Sequence, residues 1–202
     1  KLQIESEFLA NFLEWIFPVK AHVWIRFGKW DEILAEPLPE DQALYSVTTT
    51  TWHYAKGIAH AVLGNIDQAL EEQKLFRETL AKIPEERINY NNAAVDVLAI
   101  GEAMLEGELE YRRGNYELAF DHLRHSVDLY DNLNYTEPPD WSQSMRLYQG
   151  AALLDGLKVS VLGPDLAARG RRRQRPRRRR QFRSGGVAPR HAHTVCRLCA
   201  QR

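Results

Sequence analysis

Hydrophobic positions along most of the chain recur every three to four residues, which is the spacing of one face of an α-helix. This period predicts helices over residues 5–17, 19–27, 30–35, 51–63, 66–81, 93–112 and 116–132, and another beginning at residue 142. No segment alternates apolar and polar residues over the length of a strand, and the β-branched run "YSVTTTT" fits either a loop or the lead-in to a helix. The pattern predicts an all-α chain.

The same short text recurs where pairs of predicted helices meet, as "FGKWDEILA", "LGNIDQALE" and "RGNYELAFD". These segments align on three glycines, Gly28, Gly64 and Gly114. Small residues recur seven positions before the second and third glycines and five positions after them: Gly57, Ala69, Gly107 and Ala119. Because glycine adopts positive φ at little cost, each aligned glycine can end one helix and begin a turn. The other small residues would let the two helices of a hairpin cross closely.

This pattern resembles the tetratricopeptide repeat (TPR) family over about residues 18–154. The resemblance implies an α-solenoid of stacked, antiparallel helix–turn–helix hairpins. Gly150 in "RLYQGAALLDG" would take the place of Gly57 and Gly107 in a fourth hairpin, and "YTEPPDW" resembles a linker between repeats. The repeats are degenerate, since the aligned glycines are 36 and 50 residues apart against a family period of 34. We expect residues 1–17 to end a preceding repeat and the repeat domain to cover 18–162.

In this family the first helix of each hairpin lines a concave groove that holds an extended peptide or a partner helix. Transferred by register, the groove residues would be His22, Ile25, Thr51, Tyr54, Ile58, Ala61, Met104, Glu108, Tyr111 and Leu147. Ordinary packing between hairpins is the alternative role for each of them. The family members that hold a C-terminal carboxylate use Lys and Asn at positions where this chain has Tyr54, Ile58 and Leu105, so that subtype is not expected.

Charge is divided sharply along the chain. Residues 1–168 carry a formal charge of −13, whereas the 13 arginines after that point occur without a single acid or lysine. The acidic repeat region favours a basic or mixed apolar–basic protein partner. The Arg-rich tail, residues 163–202, is expected to be disordered. Three origins stay open for it: a shifted reading frame in GC-rich coding sequence, an authentic disordered tail, or an arm that binds nucleic acid through phosphates.

The remaining chemistry-bearing residues point to no reaction. His122 and His125 are three apart, and His53 and His60 share a helical face, but neither pair comes with a third ligand or a nucleophile. The paired glutamates at 71–72 and 85–86 point in different directions on a helix. In the tail, His191, His193, Cys196 and Cys199 make only half of a zinc site. We therefore expect a protein-interaction scaffold rather than an enzyme, with neither metal nor cofactor.

Two further expectations concern membranes and compartment. No apolar run approaches the roughly 20 residues needed to span a bilayer, so no membrane partner is expected. The chain begins without methionine, directly in "IESEFLANFLEWIF" after three residues. We interpret this as an internal start, so the lack of a signal peptide does not bear on the compartment. A cytoplasmic location is the default expectation.

Overall fold

The computed structural model describes residues 6–154, and most of these residues are helical, which confirms the predicted all-α class. The helices are α1 (Glu7–Leu13), α2 (Val19–Arg26), α3 (Trp30–Ala35), α4 (Ser46–Leu63), α5 (Ile66–Leu80), α6 (Ala94–Arg113) and α7 (Tyr116–Asp131). A 3-10 turn, Glu14–Ile16, separates α1 from α2, and residues 145–154 are also helical. The predicted 163–202 tail and its histidine–cysteine cluster lie outside the described residues.

The aligned glycines end their helices as the sequence predicts. Gly64 and Gly114 follow α4 and α6 with φ of 86° and 87°, and Gly28 has φ of 64° between α2 and α3. The amide of Gly64 donates to Ala61 and the next amide donates to His60, so the last carbonyls of α4 are satisfied within the turn. Positive φ strains any residue with a Cβ, and this explains why glycine occupies these positions.

Helix α4 begins five residues earlier than predicted, so all of "YSVTTTT" except its N-cap Tyr45 is helical, which fits the lead-in to a helix and not the loop. The hydroxyls of Thr49, Thr50 and Thr51 each donate to the carbonyl four residues back, at 2.8 Å. This bonding accommodates β-branched threonine in a helix, although it is a poor helix former in isolation. The surrounding elements bury the whole run, and this tertiary burial outweighs its low propensity.

The linker between α5 and α6 contains a feature that hydrophobic periodicity did not predict. Strands β1 (Ile88–Asn89) and β2 (Asn92–Ala93) form a two-residue antiparallel ladder. Tyr90 in its turn has a φ of 53°. This small ladder directs the chain from the second hairpin into α6.

The helices pack as hairpins on a shared core. Helix α4 packs against α5, α6 packs against α7, and α4 also packs against α2, α3 and α6. The fully buried side chains at these contacts include Ile33, Tyr54, Ile58, Phe76, Ile100, Met104, Leu105, Leu109 and Leu123. The predicted close crossings are present: a Cβ at Gly107 would lie 3.3 Å from the carbonyl oxygen of Ala119, and both Ala69 and Ala119 are fully buried.

Gly150 differs from Gly57 and Gly107. A Cβ built on Gly150 would meet no atom within 4 Å, whereas one on Gly57 would meet Leu105 at 2.9 Å. Within residues 6–154 no second helix packs on Gly150, so the fourth hairpin stays a prediction. The segment 134–144, which precedes that helix, folds back over α4 and α6.

Candidate functional site

The predicted groove residues lie on α2, α4, α6 and the 145–154 helix, but nine of the ten are buried. His22, Ile25, Thr51, Tyr54, Ile58, Ala61, Met104, Glu108 and Tyr111 are each less than a tenth exposed, and only Leu147, at 63%, faces solvent. Packing between elements is therefore the structural role of the nine, and they do not form an open groove. At His22 and Tyr54 the physical reason is the 134–144 segment, because Trp141 packs edge-on against both rings and Tyr54 donates its hydroxyl to Gln143 at 2.7 Å.

Trp141 is the centre of this cover. Its ring lies edge-on to His22 at a centroid distance of 4.6 Å and to Tyr54 at 5.2 Å, and it is only 2% exposed. Gly101 on α6 makes this position possible, because a Cβ there would come within 2.6 Å of the indole ring. The sequence comparison of hairpins did not single out Gly101, since it has no counterpart in the aligned repeats.

A cavity of about 180 Å³ lies beside Trp141. Its walls come from α1, the 3-10 turn, α2, α4, the β1 strand, α6 and residues 138–142. Its more exposed lining residues are Val19, which is 39% exposed, and Pro138, Pro139 and Ser142. Pockets for drug-sized ligands are roughly 300–1,000 Å³, so this cavity suits a group no larger than one amino-acid side chain.

The polar lining of the cavity has an unusual concentration of unpaired atoms. Within residues 6–154, four of its residues have a buried side-chain polar atom with neither a hydrogen bond nor an ion pair: His22 Nδ1, Asn89 Oδ1, Asp140 Oδ1 and Trp141 Nε1. Buried polar atoms normally have partners, because leaving one unsatisfied costs about 1–3 kcal/mol. All four residues line the same cavity, which marks it as the candidate binding site.

Glu14 and Arg87 form a buried ion pair in its wall, with Oε2 and Nε 3.1 Å apart. The other oxygen of Glu14 accepts the backbone N–H of Thr48 at 2.7 Å. The terminal nitrogens of Arg87 donate to Asn11 Oδ1 and to the carbonyl of Leu44, both at 2.8 Å. Burial raises the pKa of Glu14 from 4.5 to about 7, against the opposing effects of the Thr48 hydrogen bonds and the Arg87 charge.

Burial shifts the pKa values of His22 and Asp140 in opposite directions. Burial lowers the pKa of His22 from 6.5 to about 4, so its imidazole is neutral at neutral pH. One oxygen of Asp140, Oδ2, accepts from Asn92 Nδ2 at 2.6 Å and from the Thr136 hydroxyl at 2.9 Å. Burial raises the pKa of Asp140, and these two hydrogen bonds act in the opposite direction. Its second oxygen, Oδ1, is the one without a partner.

Asn92 ties this wall to the rest of the fold. Its side chain exchanges hydrogen bonds with the backbone of Asn134, accepting from the amide at 2.8 Å and donating to the carbonyl at 2.9 Å. Together with the bond to Asp140, this anchors the 134–141 segment to strand β2. The cavity therefore has a fixed wall on the side of Trp141.

Glu108, the only acid among the predicted groove residues, is already paired. It accepts from Arg112 Nε at 2.6 Å and from the hydroxyl of Tyr148. Burial is the main cause that raises the pKa of Tyr148 well above 10, so its hydroxyl stays a donor. This cluster stabilises the contact between α6 and the 145–154 helix.

Two of the four helical histidines considered for catalysis or metal binding, His53 and His122, pair with glutamates. His53 Nδ1 lies 2.7 Å from Glu72 Oε2, and His122 Nδ1 lies 3.0 Å from Glu106 Oε2. His60 is on the same helix as His53, and burial lowers its pKa. Among residues 6–154, no three His, Cys, Asp or Glu side chains are grouped as a metal site would require.

Several exposed apolar side chains lie on α1 and at the turn between α2 and α3. Phe8, Phe12 and Phe27 are 71%, 47% and 58% exposed, and the rings of the first two are 5.4 Å apart. Ile16 and Val23, which lie between Phe12 and Phe27 in the sequence, are each more than two-fifths exposed. Val19, at the cavity, lies in the same stretch of chain.

No protein family, curated protein or solved structure matches this chain. In the part of the chain that the structure describes, no helix combines the length and apolarity needed to cross a membrane. The interpretation of the site therefore rests on its own geometry.

Of the four residues with unpaired atoms in the cavity lining, only His22 was a candidate from the sequence. Two weak signals were present. Glu14 is a lone charge inside the apolar run "FLEWIF", and Trp141 follows two prolines in a segment that was interpreted only as a linker. Arg87 and Asn89 carried no signal, because nothing in "EERINYN" distinguishes a buried arginine from an exposed one.

Proposed function

We propose that this chain is a protein-interaction scaffold of TPR-like hairpins that binds a segment of a partner protein by inserting one of its side chains into the cavity beside Trp141. The observation that carries the proposal is that four residues with an unpaired, buried polar atom, His22, Asn89, Asp140 and Trp141, line that cavity. Such a lining offers hydrogen bonds to an incoming group without first having to break bonds within the protein. The proposed role requires no catalysis by the chain.

Stacking of the first helices supports the α-solenoid part of the proposal. Helix α4 packs against α2 on one side and α6 on the other, and α5 also contacts α6. In a solenoid each repeat contacts its neighbours in this way and buries a continuous core. Arg77 on α5 stabilises the contact between α5 and α6, because it donates to Glu102 on α6 at 2.7 Å and also pairs with Glu106.

Charge supports a basic partner. Residues 6–154 contain 24 acids and 12 lysines and arginines, a formal charge of −12. An acidic surface speeds the approach of basic segments and repels acidic ones. Binding of nucleic acid through the Arg-rich arm would depend on residues 163–202, which lie outside the described part of the chain.

A peptide selection tests this function. Random linear heptapeptides displayed on phage are selected against the full chain and then measured against Ser142→Trp, which places an indole at the cavity mouth. Leu118→Trp is the matched control, because Leu118 is 47% exposed on α7 and does not line the cavity. We expect selected peptides to bind Ser142→Trp at least about tenfold more weakly, a loss of 1.4 kcal/mol, and to bind the control as they bind the parent.

Two results would contradict the proposal. One is a selection that enriches no peptide. The other is a set of peptides that bind Ser142→Trp and Leu118→Trp equally well, which would locate the interaction away from the cavity.

A further inference from the structure

We propose that the cavity beside Trp141 is specific for a cation, namely an ammonium or guanidinium group on an unbranched aliphatic stem, with Asp140 as its counter-ion. This inference rests on the proposed function and specifies its ligand. A lysine or arginine side chain of a peptide has this chemistry, and so does a free alkylamine.

The charges lining the cavity favour a cation over an anion. Among the described residues, Arg87 is the one permanently charged base in the lining, and Glu14, 3.1 Å away, balances it above its pKa of about 7, where Glu14 is ionised. Both terminal nitrogens of Arg87 also donate to protein acceptors, so the guanidinium is held in the wall. Within residues 6–154, Asp140 has no basic residue as a partner, and its Oδ1 makes no hydrogen bond. An anion would add charge beside an unbalanced carboxylate, whereas a cation would neutralise it.

The unpaired hydrogen-bonding atoms point to a ligand rich in donors. Two of them, Asp140 Oδ1 and Asn89 Oδ1, accept and cannot donate. Trp141 Nε1 is the one fixed donor among them, because Arg87 Nε and Glu14 Oε2 pair with each other. An ammonium group has three N–H donors and a guanidinium has five, and neither accepts. A carboxylate or phosphate would leave these acceptors unsatisfied.

The apolar walls match an aliphatic stem. Val97 and Leu98 of α6 line the cavity together with Ala10 of α1, and the rings of Trp15 and Trp141 add aromatic surface. Aromatic faces attract cations, and aliphatic walls accept the methylenes that lysine and arginine carry below their charge. The volume of about 180 Å³ admits one such side chain but not a larger ligand.

Small-molecule titrations test the ligand chemistry directly. We would follow the indole N–H resonance of Trp141 in the full chain, identified by its loss in Trp141→Phe, while adding n-butylguanidinium, n-butylammonium, butanamide or butyrate. We expect the two cations to shift this resonance with saturation, and butanamide and butyrate to bind at least about tenfold more weakly, as expected for loss of a charge-assisted hydrogen bond.

Variants then assign the counter-ion. Asp140→Asn keeps an acceptor for Asn92 and Thr136 but removes the charge, and we expect it to weaken binding of n-butylguanidinium at least about tenfold. Asp128→Asn makes the same change at an exposed position of α7 outside the cavity and is expected to have no effect. Ser142 is exposed at the cavity mouth. There, Ser142→Glu should strengthen binding of n-butylguanidinium and Ser142→Lys should weaken it. Opposite effects at one exposed site cannot arise from unfolding.

The heptapeptides whose binding is weakened by Ser142→Trp, here called mouth-dependent, test whether the cation comes from a peptide side chain. They are expected to share a lysine or arginine whose replacement by norleucine or citrulline abolishes binding. Mouth-dependent peptides anchored by neutral or acidic residues would overturn the cation inference and leave the scaffold function standing. Equal binding by Asp140→Asn and Asp128→Asn would also overturn it. If the alkylamines bind as predicted while no peptide does, the cation site stands with a free amine as its ligand and the scaffold function fails.

Discussion

Glu14 and His22 are buried against the same cavity, and burial shifts their pKa values in opposite directions. Folded Glu14 holds its proton up to a pKa of about 7 instead of 4.5, so its contribution to stability falls as pH rises between these values. Folded His22 loses its proton near a pKa of about 4 instead of 6.5, so its contribution rises with pH over that interval. From pH 4.5 to 6.5 the two slopes, about 1.4 kcal/mol per pH unit each, oppose one another.

Replacing one of the two groups at a time should reveal how the other makes the free energy of unfolding depend on pH. As pH rises from 4.5 to 7, the free energy of unfolding of Glu14→Gln is expected to increase by about 3 kcal/mol relative to that of the parent. His22→Gln is expected to lose a similar amount, about 3 kcal/mol, between pH 4 and 6.5. Urea unfolding across this pH range measures both, and the double variant should cancel most of each trend. The same sign of slope in both single variants would contradict this account.

At the scale of the helix pair, close contact is set by glycines without a Cβ. A Cβ on Gly107 would lie 2.8 Å from both Cγ and Cδ2 of Leu123 and also close to the backbone of Ala119. Leu123 is buried and cannot swing away, so one of the helices would have to move. Gly150 lies in a helix as well, but a Cβ there would meet nothing within 4 Å.

The two glycines therefore make a matched pair for substitution. Gly107→Ala is expected to lower the free energy of unfolding by about 1–3 kcal/mol, the usual cost of overpacking. Gly150→Ala should leave stability unchanged or raise it by up to about 1 kcal/mol, because alanine is the better helix former. Urea titrations of both variants decide the matter, and equal effects would mean that the α6–α7 crossing is less tight than described.

Element boundaries were predictable where a local rule fixes them. Gly64 and Gly114 mark the ends of α4 and α6 because positive φ is a backbone requirement that sequence reveals. The start of α4 was not predictable, since threonines enter a helix only when tertiary burial favours it. The cavity was also beyond prediction, because Glu14, Arg87 and Asp140 come from three distant segments. Periodicity reveals which face of a helix is apolar, but it cannot reveal which distant segment will cover that face.

At the scale of the whole molecule, the acidic part and the arginine-rich part can be tested separately. A chain ending at residue 162 retains every residue of the cavity and removes all 13 arginines of the tail. We expect it to bind the selected heptapeptides as the full chain does, measured by fluorescence anisotropy at low and high salt. Loss of binding on truncation, together with a steep decline with salt in the full chain, would instead make the arginine arm the binding element.

The anchoring of residues 134–141 by Asn92 has a consequence for how the protein forms during synthesis. Asn92 and its partners Asn134 and Asp140 are more than forty residues apart in the chain. A ribosome delivers the first two hairpins well before it delivers Trp141, so the growing chain must expose the unfinished cavity for the time needed to translate the third hairpin. Only chains that extend past Ser142 contain every residue that lines the cavity, and a chain halted near residue 130 should attract chaperones that recognise exposed apolar surface.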